Sequence, residues 1–290
     1  MIINKNKIPW WVKIILKIII SRLPGNYGFW QKFGLFRHGS MDNHTYAFKV
    51  FKSHIDKVNG WPIDGKKILE IGPGDGISTA IIAASYNASA VLIDSVDHVN
   101  NDIDLYIELC GFLKDQGLSP PLIIKEDTVG SILQKCNSRY LTDGVDSFAK
   151  VDTDSIDIIF SQAVLEHIEK DIFAREMQEC FRVSKNKSVS SHEVDLRDHL
   201  SESLNNLRFS EKIWESSFFK SSGFYTNRIQ LEEMKSFFTG AGFRFKIISV
   251  DSWDTLPIKK AKLNKYFRSL SDENLKVKVF NVLLYKDDNG

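Results

Sequence analysis

The chain has 290 residues, 43% hydrophobic and 12% aromatic, enough apolar content for a sizeable core and too much for global disorder. Lysine plus arginine (38) nearly balances aspartate plus glutamate (37), so no overall basic footprint points to nucleic acid. The three cysteines, Cys110, Cys136 and Cys180, lack metal-type spacing and are odd in number, which fits a reducing cytoplasm rather than a disulfide framework.

Residues 10–20 are almost wholly apolar, broken only by Lys13 and Lys17. As a helix this run spans roughly 16 Å, against about 30 Å of bilayer hydrocarbon, so it is too short to cross. The lysines interrupt the apolar region and no small-residue cleavage site follows, which disfavours a signal peptide. The remaining readings are a cap helix packed on its own domain and a peripheral membrane contact through residues 8–22. Residues 1–59 read as a mostly helical N-terminal cap. It holds a loop around Pro24, Gly25 and Gly28, a second loop over 34–42 and a helix over 45–58.

From residue 60 onward the pattern alternates between strand and helix. Strands are predicted at 67–71, 89–94, 139–142, 156–161 and 187–194, with helical stretches between most of them, which argues for a parallel sheet covered on both faces. Residues 200–228 carry no clear strand and read as a lid-like insertion. An amphipathic helix is predicted over 227–239, closed by Gly240 and Gly242, and strands over 243–250 and 277–285 follow from their β-branched and aromatic content. The basic stretch 252–275 between them reads as partly helical.

The most informative segment is 66–80, Lys-Lys-Ile-Leu-Glu-Ile-Gly-Pro-Gly-Asp-Gly-Ile-Ser-Thr-Ala. A short apolar strand ends in Glu70 and the alternate glycines Gly72, Gly74 and Gly76, then enters a helix-compatible run. Glycine lets the backbone turn sharply and approach a ligand, at the strand edge where open α/β sheets bind cofactors. The spacing is not the Gly-x-Gly-x-x-Gly of dinucleotide sites, because position 77 is isoleucine. Asp94 ends the next strand, where an acid can accept hydrogen bonds from both hydroxyls of a ribose; Asp97 is its nearby competitor.

Strand, acid and glycines in this order resemble the first motif of class I S-adenosylmethionine-dependent methyltransferases. The resemblance implies, over residues 60–290, a seven-stranded, mostly parallel, doubly wound sheet ending in an antiparallel hairpin, with S-adenosyl-L-methionine as cofactor. It assigns the cofactor site to Glu70, Gly72, Gly74, Asp75, Gly76, Asp94, Asp143, Gly144, Ser161 and Gln162. Asp143 and the backbone of Gly144 would read the adenine, and Ser161, Gln162 and Ala163 would line the site near the transferable methyl group. The acids of the first four strands, Asp157 included, fall at successive strand positions. One departure is visible: the family's Lys-Pro-Gly-Gly turn before the fifth strand is here Ser184-Lys-Asn-Lys-Ser-Val. A nicotinamide dehydrogenase is disfavoured by the glycine spacing and the late pair of strands.

A second cluster, Ser-Ser-His-Glu-Val-Asp-Leu-Arg-Asp-His over 190–199, crowds two histidines and three acids at the end of the fifth strand. Removing a proton from a hydroxyl acceptor calls for a group titrating near neutrality, and histidine does so. On an extended strand His192 and Val194 share one face, and Glu193 and Asp195 the other. Three readings stay open. In the first, His192 or His199 is a general base oriented by Asp195 or Asp198. In the second, His192, Asp195, Asp198 or His199 holds a divalent metal for a diol. In the third, Asp195 pairs with Arg197 and Asp198 caps the next helix. The assignment adopted is catalytic His192, Asp195 and His199, with no metal ligand. Glu166 and His167 read as packing or capping residues. Arg37 and His38, and Tyr225, Asn227 and Arg228, are weaker contact candidates.

The string from Ser191 to His199 is similar to one in bacterial methyltransferases associated with cell-surface glycans or small metabolites. The expected function is therefore methyl transfer to a small-molecule or glycan acceptor, at a hydroxyl. The alternative is a non-catalytic scaffold of the same fold that docks a membrane or partner through its N-terminal helix. No nucleic-acid partner is expected, and oligomeric state is left open.

Overall fold

The computed structural model describes residues 9–20, 41, 43–58, 62–199 and 201–287. Helices α1 (Trp10–Ile20) and α2 (His44–Lys57) precede a seven-stranded sheet. Its strands are β1 (Lys67–Ile71), β2 (Ser89–Ile93), β3 (Arg139–Leu141), β4 (Ile156–Gln162), β5 (Ser184–Asp195), β6 (Arg244–Ser252) and β7 (Val277–Tyr285). Helices α3 (Ser78–Ala84), α4 (Ile103–Asp115), α5 (Val129–Lys135), α6 (Phe173–Val183) and α7 (Leu231–Gly240) cover it. The strand order is β3-β2-β1-β4-β5-β7-β6. Neighbouring strands from β3 to β5 pair in parallel, while β7 runs antiparallel to both β5 and β6. This is the doubly wound sheet and late antiparallel pair expected from the sequence.

Alternation along the strands builds two cores. Ile68, Leu92, Ile158 and Phe160 face α2, α3, α4 and α5. Leu69, Ile71, Val91, Ile93, Ile159 and Val194 face α6 and α7. Successive side chains of a strand point to opposite faces, so a strand buried on both sides reads as an unbroken apolar run. Each fully buried Leu, Ile or Phe contributes about 1.5–3 kcal/mol. The outer strand β6 is mostly exposed, and its Arg244, Lys246 and Asp251 keep that edge charged, which discourages edge-to-edge pairing.

Two expected boundaries moved. The ladder of β5 becomes regular only near the predicted start. Between Ile156↔Ser184 and Ile158↔Val189, five residues of β5 advance against two of β4. Lys187 takes a positive φ of 63° inside this bulge, and the segment follows α6 directly where a glycine turn was the family pattern. Helix α7 begins at Leu231 rather than 227, because Arg228 is left-handed at φ 61° and the Asn227 carboxamide oxygen accepts from the Ile229 amide.

Residues 204–226 are packed. Leu204 and Leu207 join Leu263, Phe267 and Leu275 in one cluster. Trp214, Phe224 and Tyr225 receive Ile14 of α1, flanked by Trp10 and Ile18, in another. The face of α1 carrying Trp10, Ile14 and Ile18 is therefore covered, whereas Trp11 and Ile15 are half exposed. Among the described residues no helix is long and apolar enough to cross a membrane. Cys110, Cys136 and Cys180 are buried thiols.

Candidate functional site

The C-terminal ends of β1 to β4 form one edge. Backbone bonds join them: Gly72 N–H donates to Ile93 O, Asp94 N–H to Leu141 O and Gly144 N–H to Asp94 O. Gly72 and Gly74 sit at φ 69° and 68°, a region that costs other residues about 1–2 kcal/mol. A Cβ on Gly72 would lie 2.5 Å from a Val164 methyl, so the turn is wedged against the loop after β4. Gly76 has no positive φ, and a Cβ there would meet Met41 O and Ser78 Oγ at 3.5 Å, ordinary contact distances. Asp75 is buried, and its carbonyl accepts from Asn100 N–H. Met41 O also accepts from the Ser78 hydroxyl, so the chain preceding α2 lies on the turn. Arg37 and His38, weighed above as contacts, lie outside the described residues.

Glu70 is 2% exposed and its Oε2 has no hydrogen-bond partner. Burial, opposed by the Thr79 hydroxyl and reinforced by Asp94, pushes its carboxyl up to about 8. Asp94 is partly buried and accepts from the Ser95 amide. Asp143 is exposed and pairs with Lys150 at 2.6 Å; such a pair is worth about 0–1 kcal/mol and yields easily to another partner. Asp157, in contrast, lies at the opposite end of its strand from this edge, where it holds Lys66 and Lys185. It does not continue the series formed by Glu70, Asp94 and Asp143.

Where β4 and β5 end, alternation sends neighbours to opposite faces. Ser161 Oγ and His192 Nδ1 are 2.8 Å apart on the α6 side. His192 is fully buried and its Nε2 is without a partner. Burial, helped by nearby His54, lowers its basicity to about 3. On the other face Gln162 accepts from His54 Nε2 at 3.0 Å and donates to Glu193, and His54 Nδ1 lies 2.8 Å from Ser191 Oγ. His54 too is held neutral, at about 3, chiefly by burial. Ala163, next along, is left-handed at φ 51°.

Asp195 grips Arg197 with both oxygens, at 2.9 and 2.7 Å, so its carboxylate is turned to arginine rather than to His192. Asp198 accepts from the amides of Ser201 and Asn205 and from the Asn205 side chain, closing the turn that follows β5. His199 lies elsewhere, stacked on His167 with ring centroids 4.8 Å apart. The structure thus brings His199 to Glu166 and His167, within 4.8 Å between ligand atoms, while His192 stays inside with Ser161.

Residues 44–247, more than half of the chain, match the family described as "Methyltransferase domain". The chain belongs to this family. No curated protein matches it in sequence. A SAM-dependent methyltransferase from Methanosarcina mazei is similar in structure at 18% identity and TM-score 0.49, covering 80% of this chain and 97% of that one. One from Archaeoglobus fulgidus gives 14%, 0.46, 82% and 94% in the same order. Phosphoethanolamine N-methyltransferase 2 of Haemonchus contortus, solved with S-adenosyl-L-methionine, gives 11% and 0.45, covering 81% of this chain and 52% of that chain.

The acceptors along this edge fit the chemistry of S-adenosyl-L-methionine. That molecule presents hydrogen-bond donors at its ammonium, ribose hydroxyls and adenine amino group. The ends of β1, β2 and β3 supply acceptors in Glu70, Asp94 and Asp143. A pyrophosphate would instead bring negative charge to a turn bearing Glu70, Asp75 and Asp94.

Sequence reasoning missed His54, although it lies on the buried stripe of α2 with Ala47, Val50 and Phe51. A polar residue at i+7 of an apolar stripe is the signal that was present. It also read Glu166 and His167 as packing residues. Tyr225, Asn227 and Arg228 prove to be ties between segments. The Asn227 carboxamide donates to Leu165 O and Ile168 O, and the Tyr225 hydroxyl donates to Glu215. Arg228 donates to Phe209 O and Glu211 and lies over the Trp214 and Phe267 rings.

Proposed function

We propose that the chain transfers the methyl group of S-adenosyl-L-methionine to a hydroxyl of a small-molecule or glycan acceptor. The observation that carries this reading is the series of carboxylates at the ends of β1, β2 and β3 around Gly72–Gly76. Glu70 is central to it, as a buried acid with an oxygen left unpartnered. When bound, S-adenosyl-L-methionine supplies an electrophilic methyl beside a positively charged sulfur.

The residues of the chain hold and align the reactants. Glu70 would face the cationic part of the donor, Asp94 the ribose hydroxyls, and Asp143 with Gly144 the adenine edge. Gly72, Gly74, Asp75 and Gly76 set the path of the turn. Ser161 and Gln162 form the floor at the end of β4, held rigid by His192 and by the His54–Gln162–Glu193 chain. Preorganised alignment of this kind lowers the entropic part of an in-line displacement.

Of the residues assigned to proton transfer, His192 is a weak acceptor because burial depresses its basicity. His199, half-buried at the sheet edge, is the imidazole we assign to the acceptor, while Asp195 is engaged by Arg197. Methyl-labelled S-adenosyl-L-methionine, incubated with the protein and pools of hydroxylated metabolites and glycans, tests the reading. It expects the label on an oxygen of the product; label found only on nitrogen, sulfur or carbon would contradict the hydroxyl assignment.

A further inference from the structure

We propose that Glu166, His167 and His199 form a divalent-metal site at the acceptor side of the cleft. The site rests on the methyltransferase reading for its use but not for its existence. One ligand atom from each residue lies within 4.8 Å of the others. They come from two segments, the loop after β4 and the turn after β5. Val164, two residues before Glu166, packs against Gly72, which puts the cluster beside the glycine turn.

Two further observations point to a cation. Glu166 is 1% exposed, its Oε1 accepts from the Asp195 amide, and its Oε2 has no partner. A buried acceptor left unsatisfied costs about 1–3 kcal/mol, and a metal ion would satisfy it. His167 Nδ1 lies 2.9 Å from Tyr225 O. A carbonyl only accepts, so Nδ1 carries the hydrogen and Nε2 carries the lone pair. An imidazole whose second nitrogen donates to a backbone carbonyl is the usual arrangement of a metal-ligating histidine. The His167 and His199 rings stack with an interplanar angle of 15°, which keeps the two imidazoles side by side.

Two imidazoles and one carboxylate form a borderline donor set that suits Mn²⁺, Fe²⁺, Co²⁺ or Zn²⁺ better than Mg²⁺ or Ca²⁺. Three protein ligands leave coordination positions open, the pattern of catalytic rather than structural sites, and His167 is exposed toward solvent. The matching acceptor class is one with two adjacent oxygens, such as a vicinal diol or an α-hydroxy carboxylate, able to chelate the ion. Coordination acidifies the acceptor hydroxyl, whose proton passes to solvent. Its oxygen then bonds to the methyl carbon as the carbon–sulfur bond breaks, and that electron pair stays on the departing neutral thioether. His199 here serves the acceptor as a ligand.

The test uses the full chain stripped with a chelator, titrated with Co²⁺ and followed by visible absorption and calorimetry. Binding of S-adenosyl-L-methionine and circular dichroism are measured on the same samples. The wild type is expected to bind one Co²⁺ per chain. His199→Gln and the isosteric Glu166→Gln should each weaken binding about tenfold or more, and His44→Gln, on the opposite face of the sheet, should leave it unchanged. No saturable Co²⁺ binding by the wild type, or equal affinity in folded His199→Gln and Glu166→Gln, would overturn the metal site. If S-adenosyl-L-methionine still binds in that case, the methyltransferase reading stands without the metal. Co²⁺ binding with no cofactor binding supports the site and overturns the reading it was meant to serve.

Discussion

Glu70 ties the fold to its chemistry through a single proton. Its carboxyl is raised from the ordinary 4.5 to about 8, so between those values the folded chain keeps a proton that the unfolded chain releases. This contribution to stability is whole below about pH 4.5 and declines as pH rises through about 8. Glu70→Gln should flatten that part of the thermal stability profile; parallel profiles for the two proteins would contradict the assignment. The same proton should leave when a cationic ligand binds near neutral pH, which calorimetry in buffers of different ionisation enthalpy detects. At the turn, Gly72→Ala combines a left-handed backbone with a Cβ 2.5 Å from Val164 and should cost about 2–4 kcal/mol. Gly65→Ala, with a similar φ and nothing within 4 Å, should cost only about 1–2 kcal/mol; urea midpoints separate the two. Glu70 and Asp94 were legible in the sequence because each ends a short apolar strand. The His54–Gln162–Glu193 chain was not, because it depends on how α2 crosses the sheet, and neither was the approach of Glu166 and His167 to His199.

At the scale of elements, residues 204–230 are held by buried polar ties as well as by aromatic packing. Arg228, whose side chain is fully buried, links Phe209 O, Glu211 and two rings. Arg228→Met keeps much of the packing volume but takes the donor from the Phe209 carbonyl and the guanidinium from Glu211, and should destabilise the chain by about 1–3 kcal/mol. Limited proteolysis within 205–226 should then speed up, and unchanged cleavage would show that the aromatic cluster alone holds the segment. Helix α1 lays Trp10, Ile14 and Ile18 on that cluster and leaves Trp11 and Ile15 outward. A peripheral membrane contact, the second reading of residues 8–22, would have to use this outer face; on that reading Trp11→Glu with Ile15→Glu abolishes liposome flotation and leaves the thermal midpoint nearly unchanged, while a wild type that does not float leaves α1 as a cap. The strands were legible from apolar runs between turn signals. The start of α7 was not, since its apolar periodicity continues backward through residues that Asn227 and Arg228 hold out of the helix.

For the whole molecule, the two cores and the strand order hold the ends of β1 to β4 in one rigid edge, the floor that the proposed function assigns to the methyl donor. A ligand that binds only the folded chain stabilises it by about 2.7 kcal/mol at a hundredfold excess over its dissociation constant, so the cofactor should raise the thermal midpoint. The number of strands, their mostly parallel run and the late antiparallel pair could be read from the sequence through the family resemblance, while the cluster of Glu166, His167 and His199 could not, since it converges from 166–167 and 199 only after the chain folds. The most direct measurement is calorimetric titration of S-adenosyl-L-methionine into the wild type, Gly74→Arg and Asp94→Ala. Saturable binding to the wild type is predicted, with affinity lost in Gly74→Arg and lowered about tenfold to a hundredfold in Asp94→Ala. Equal affinity in all three proteins, or no binding to the wild type, would contradict the cofactor site.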